Sequence, residues 1–227
     1  MSKSRPKSRP ASGRRSRAPR PAGRVPADAR RRQLLDEAAH ILTEQGVEHL
    51  QISDLATRLG VTRPLVYRQF PTRQALVRAV VDDFAALVQE RFQYALVRAL
   101  PGTMESITTA FVDASCDAIE QRGAGPWQLL DARGTDPELA RIGRSIFARL
   151  LDPWQAQLAA FLGAPARRAE GLLWVIVAAG RAALDGWIEG RLSRAEAVRD
   201  ATTAVTALLA AFTEAKAPVE PPRRGRR

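Results

Sequence analysis

The run QISDLATRLGVTRPLVYRQFPTRQAL, from Gln51 to Leu76, constrains this chain more than any other stretch. Ile52, Leu55, Ala56 and Leu59 recur at helical spacing and give a first helix one apolar face. Gly60 lacks a Cβ and suits the left-handed conformation that ends a helix at a sharp turn. Val61 is apolar and fits inside that turn. Thr62 is positioned to cap a second helix, and Pro64 is tolerated in its first turn. In that helix Val66 and Phe70 face the protein, Arg63, Tyr67 and Arg68 face away, and Pro71 ends it. Helix, short glycine turn, helix is the layout in which the second helix enters the DNA major groove. A hairpin inside an ordinary all-α core would explain the apolar spacing and the glycine. It would not explain a solvent face of Arg63, Tyr67 and Arg68, followed by Arg73, with no acid from Gly60 to Val81.

The segment LATRLGVTRPLVYRQFPTRQAL resembles the tetracycline-repressor-like (TetR) family of bacterial transcriptional regulators. Leu55-Ala56, Gly60-Val61-Thr62, Tyr67, Phe70 and Arg73-x-Ala75-Leu76 carry the similarity, within a match from Leu34 to about Leu76. Gln51 stands where the family usually has a Thr or Ser cap, and Leu65 where a small hydroxyl residue is common. The resemblance implies an all-α fold. An N-terminal three-helix helix-turn-helix DNA-binding domain would be followed by a helical ligand-binding and dimerisation domain. It also implies a sequence-specific regulator, most often a repressor, that is not an enzyme and needs no cofactor. Such a protein acts in the bacterial cytoplasm as a homodimer on a palindromic duplex operator, and a small-molecule effector modulates its affinity.

Chemistry divides the expected DNA contacts. In the family the places of Thr62, Tyr67 and Arg73 usually contact phosphate, which sets register without reading sequence. Arg63, Pro64, Leu65 and Arg68 lie where base edges would be met, and Ser53 could add a phosphate or base contact. Arginine reads guanine bidentately, whereas Leu65 could only pack on a thymine methyl.

Charge is concentrated at the ends. Residues 1–27 hold nine Lys or Arg and no acid, and residues 217–227 carry +3. With a total of +11, the body between them is left at −1. The first segment is rich in Pro, Ser, Gly and Arg, so it cannot bury enough surface to offset its ordering entropy, and its basic charge suits phosphate tracking. The expected division is a basic tail over 1–27, a DNA-binding domain over 28–76, an effector and dimerisation domain over 77–216, and a second basic tail over 217–227.

Cys116 is the only cysteine, and His40 and His49 are the only histidines, so a metal set or a His-dependent triad is hard to assemble. Asp113 and Asp117, four apart on one helix, are the nearest thing to an acid–base pair and read better as surface carboxylates. No phosphate loop or dinucleotide glycine motif is present. No uninterrupted apolar run reaches the roughly 20 residues of a membrane span, and no secretory signal opens the chain.

Along the body, Asp28 is expected to cap a helix over 29–45. A long helix from Thr72 to about Leu100 should bury Leu76, Val80, Phe84, Leu87, Val88 and Phe92 and leave the head as a lever. Thr103 caps the next helix. Gly123 and Gly125-Pro126 should break the chain before Trp127, and Asp136-Pro137 opens a helix that should kink or break at Pro153. A helix over 166–191 with many small residues and a last helix begun by the Ser193/Glu196 capping box suit a two-fold four-helix seam. Ala179, Ala183, Val198, Ala201, Val205, Leu208 and Phe212 are its candidates. Met104, Phe111, Ser115, Cys116, Trp127, Trp154 and Trp174 are candidates to line a largely apolar effector pocket. A rival reading is a nucleoid-associated, non-specific DNA-binding protein that works through its basic tails.

Overall fold

A computed structural model describes residues 26–99, 102–130 and 136–214. Both basic segments, up to residue 25 and beyond residue 214, lie outside the described residues, so the tail expectations do as well.

The described residues form nine α-helices and one 3-10 turn. They are α1 (Ala27–Gln45), the 3-10 turn (Val47–His49), α2 (Ile52–Arg58), α3 (Arg63–Gln69), α4 (Arg73–Ala99), α5 (Met104–Arg122), α6 (Ala124–Leu130), α7 (Pro137–Leu162), α8 (Ala166–Ile188) and α9 (Arg194–Glu214). The all-α expectation holds. The first three helices close on Leu34, Ala38, Leu42, Leu55, Val66 and Phe70, all buried, with Leu59 packed at the edge. Gly60 takes φ +61° between α2 and α3, the left-handed turn its missing side chain allows.

The six side chains expected on the inner face of α4 are all buried. The helix leads out of the head, α5 packs back along it, and α7 lies against it as well. The last two helices pack on each other, with α9 also against α5 and α8 against α7. Apolar burial is continuous from Leu34 in α1 to Leu209 in α9, so head and body share one core.

Caps follow side-chain chemistry where a short polar group stands at the right place. Thr103 accepts from the Ser106 amide at 3.2 Å, and Asp136 accepts from Glu138 and Leu139 at 2.9 and 3.2 Å. The Ser193/Glu196 box forms in both directions, at 2.8 and 3.2 Å between each side chain and the other's amide. Hydrogen bonds from the Ser193 amide and hydroxyl hold the Glu196 carboxyl below the usual range. That support for α9 is present at neutral pH and is lost as acidification protonates the group.

Four expectations change. The first helix begins at Ala27 with Pro26 before it, so Asp28 sits in the first turn instead of capping. Gly125 and Pro126 lie inside the first turns of α6, where a proline's missing N–H costs little, and not in a break before it. The seventh helix continues through Pro153, because packing on α4, α6 and α8 outweighs one lost backbone bond. Finally, α8 has 23 residues and contains an 18-residue window with a mean hydropathy of 1.4, so by length and composition it could cross a membrane although no run in it is unbroken. Here it packs between α7 and α9, and its interrupting charges Arg181 and Asp185 bond to Trp127.

Candidate nucleic-acid interface and ligand cavity

Burial of Val66 and Phe70 fixes the rotation of α3 and turns its opposite side to solvent. On that side Thr62, Arg63, Pro64 and Arg68 are exposed, Tyr67 is 50% exposed, and Leu65 is half-buried. The Thr62 side chain makes no capping hydrogen bond. Ser53 stands half-buried at the start of α2, its hydroxyl 3.3 Å from the Asp54 carboxylate. Seven of the eight expected contact residues thus share the helix-turn-helix surface or its edge. No acid of the described head lies between Gly60 and Val81 to neutralise it.

Arg73 differs from the expectation. Its Nε donates to the Leu50 carbonyl at 3.0 Å and its Nη2 to the Val47 carbonyl at 2.5 Å, both within the connection between α1 and α2. The half-buried guanidinium therefore spends two donors on its own chain and ties the start of α4 to the back of the helix-turn-helix. Spacing could not show this, because both carbonyls belong to an irregular segment more than twenty residues upstream. Sequence reading also missed Arg31, whose guanidinium lies 4.7 Å over the Phe70 ring and braces the end of α3.

The body encloses a cavity of about 330 Å³, with α5 and α8 on opposite sides and α7 and α9 completing the wall. Met104, Phe111, Ser115 and Trp127, four of the seven candidates, line it. Two candidates do not. Cys116 is buried elsewhere, and its thiol is pushed up to about 11 by burial, so it stays protonated. Trp174 is partly exposed and packs on Phe147, with ring centroids 5.5 Å apart. The Trp154 side chain lies outside the described residues. Phe92, Phe147, Phe161, Ile176, Gly180 and Arg181 line the cavity and were not foreseen. The usable signal was Gly180-Arg181 closing the apolar run of α8, a small residue and a lone cation on an inward face.

Trp127 joins the cavity to the head. Its Nε1 donates to Asp185 at 2.8 Å, its ring lies 4.7 Å from the Arg181 guanidinium, and its edge meets Phe84 of α4. It rides on α6, which sits directly on α1, with the Gly125 amide donating to Thr43 Oγ1 at 3.1 Å. At the end of α5, Arg122 pairs with Asp36 of α1 at 2.5 Å and Asp83 of α4 at 3.1 Å.

The candidate seam on α8 and α9 is partly internal. Ala201 and Val205 are buried within the chain, and Val205 lines the cavity. Ala183, Val198, Leu208 and Phe212 pack on the core while half-buried, and Ala179 is half-buried too. The exposed apolar side of the pair consists of Trp174, Val175, Ala178 and Ala182 on α8 with Ala207 and Ala211 on α9. Spacing of three and four marks an apolar stripe, but it does not say whether the stripe meets its own core or a second chain. Asp113 and Asp117 are held by Arg194 at 3.3 and 2.6 Å, with Glu120 at 3.0 Å, in a surface ion-pair network that ties α9 to α5.

The described residues thus combine a helix-turn-helix that has an exposed cationic second helix with an all-α body that holds an apolar cavity. Residues 34–80 match the family model for bacterial regulatory proteins of the tetR family. Over these residues the chain is similar to the TetR family. It is 31% identical over 96 residues to the HTH-type transcriptional repressor KstR2 of Mycolicibacterium smegmatis, covering 42% of this chain and 46% of that protein. It is 30% identical over 129 residues to the HTH-type transcriptional activator FasR of the same organism, covering 53% and 58%. The chain thus spans about half the length of these relatives. The fold is that of a tetR-family transcriptional regulator from Streptomyces coelicolor, with a TM-score of 0.62 and 20% identity over 84% of this chain and 85% of that one.

Proposed function

We propose that the chain is a sequence-specific, homodimeric DNA-binding transcriptional regulator of the bacterial cytoplasm, acting as a repressor, whose operator affinity responds to a small and largely apolar molecule. The observation that carries this is the exposed face of α3, where Arg63, Tyr67 and Arg68 stand on a helix seated by buried Val66 and Phe70, with no acid in the chain from Gly60 to Val81. A division into a head over 28–76 and a body over 77–216 supports the reading, because α4 belongs to both and can carry a displacement between them. The cavity of about 330 Å³ lies in the body, within the size range of small-molecule sites. The apolar outer sides of α8 and α9 supply a surface for a second copy.

Selection of bound sequences from random duplex DNA by the full-length protein tests this. The expected product is one palindrome, with half-sites about one helical turn apart, as a two-fold pair of heads requires. Uniform recovery of all sequences would instead favour non-specific binding through the basic tails. Within the head, Arg63→Ala and Arg68→Ala should each reduce discrimination between the selected site and a single-base variant by roughly tenfold. Their thermal unfolding should be unchanged, because both side chains are exposed. Equal discrimination by both variants would remove base reading from these two residues.

A further inference from the structure

The shape and wall of the cavity restrict what it can hold. Its lining repeats turn after turn along two helices, from Met104 to Ser115 on α5 and from Leu173 to Leu184 on α8. Each span is twelve residues, or about 16 Å over its eleven helical rises. A volume of about 330 Å³ spread over that length makes the cavity long for its size, with room for an extended hydrocarbon chain. The inner end lies at Trp127, on the helix that touches the head. The outer end lies at Met104 and Phe161, which line the cavity and are also 37% and 50% exposed, so it opens there to solvent.

Thr108, Ser115 and Arg181 of the wall each make bonds within the chain. Thr108 and Ser115 donate to carbonyls of their own helix, those of Met104 and Phe111, at 2.8 and 2.9 Å. Arg181, the one charged side chain of the lining, stacks on Trp127, donates to the Trp127 carbonyl at 3.2 Å and lies 3.5 Å from the Asp185 carboxylate. Asp185 in turn accepts from Trp127 Nε1. A carboxylate arriving at this end would stand beside the Asp185 carboxylate that already shares Arg181, and a cation would meet Arg181. Desolvating an ion there without a new partner is costly.

From this geometry we infer that the cavity takes a single unbranched aliphatic chain, inserted end-on through the Met104–Phe161 mouth, with an uncharged end at Trp127 and any polar group left at the mouth. The inference rests on the effector-binding reading above and names the effector's chemical class.

Binding of straight-chain 1-alkanols to the full-length protein, followed by calorimetry, tests it. Affinity should rise about fourfold per added methylene and level off near a dozen carbons, when the tube is full. Cyclododecanol should bind at least tenfold more weakly than 1-dodecanol. Dodecanedioate, which must bring a carboxylate inside, should bind at least a hundredfold more weakly than dodecanoate. Gly180→Leu places a side chain in mid-tube; a Cβ there meets only Val205, at 3.7 Å, so the variant should keep its melting temperature and DNA binding. Its alkanol series should level off several carbons earlier. A series without a break, equal binding of the cyclic alcohol, equal binding of the two acids, or no alkanol binding at all would each overturn the inference. Alkanol binding that leaves operator affinity unchanged would sustain the cavity assignment and sink the regulatory reading. Release of DNA by a compact effector, with no alkanol bound, would do the reverse.

Discussion

Gly125→Ala and Gly143→Ala should each destabilise the protein by about 3 kcal/mol, the upper end of what overpacking a well-filled core costs. Both glycines clamp α6, the helix that carries Trp127. A Cβ on Gly125 would lie 2.6 Å from the Leu42 carbonyl carbon and the Thr43 amide nitrogen of α1. A Cβ on Gly143 of α7 would lie 1.9 Å from the Leu129 carbonyl oxygen of α6. In both cases the obstacle is backbone inside a helix, which cannot rotate away as a side chain would, so a whole helix has to shift. Denaturant unfolding measures the loss. The Gly125 variant should also bind its operator more weakly than its residual stability explains, because pushing α6 from α1 moves the head. A Gly125→Ala protein with wild-type stability would mean that this seat is looser than the packing indicates. Gly171→Ala serves as the control: nothing lies within 4 Å of its Cβ position, and it should be neutral or slightly stabilising.

Arg73→Ala should lower stability by about 3 kcal/mol, since two hydrogen bonds from a charged, half-buried donor are lost and the Val47 carbonyl is left with the Leu50 amide alone. Lysine should restore little, because a point charge cannot span the Val47 and Leu50 carbonyls as a planar fork does. Melting temperature and salt dependence separate this bracing role from the phosphate contact that family position implies. Loss of a brace lowers the melting temperature and leaves the slope of log affinity against log salt unchanged. Loss of a phosphate contact reduces that slope by about 0.9 and leaves the melting temperature alone. A variant with wild-type melting and a reduced slope would return Arg73 to the DNA surface.

Much of the head was legible because its determinants are local. The apolar stripes of α1 and α2, the turn at Gly60 and the outward side of α3 all follow from helical period and one missing Cβ. The caps at Thr103, Asp136 and Ser193 are local as well, each a short polar side chain within three residues of the amides it serves. Where several turns of packing opposed one local signal, packing prevailed: Pro153 lies within an unbroken α7, and Gly125-Pro126 became the seat of a helix instead of a gap.

The sequence alone determined an all-α chain with a reading head near its start, and which side of α3 is wet, because period and burial of Val66 and Phe70 admit one rotation. Only the tertiary structure decided which apolar residues of the body surround empty space and which fill the core. Val205 and Cys116 are both buried on helices, yet one lines the cavity and the other is packed away from it. It also decided that Arg73 turns inward and that Arg181 spends its charge on Trp127 and Asp185. These outcomes depend on where distant helices cross, and helical period sets a residue's direction without saying what stands opposite.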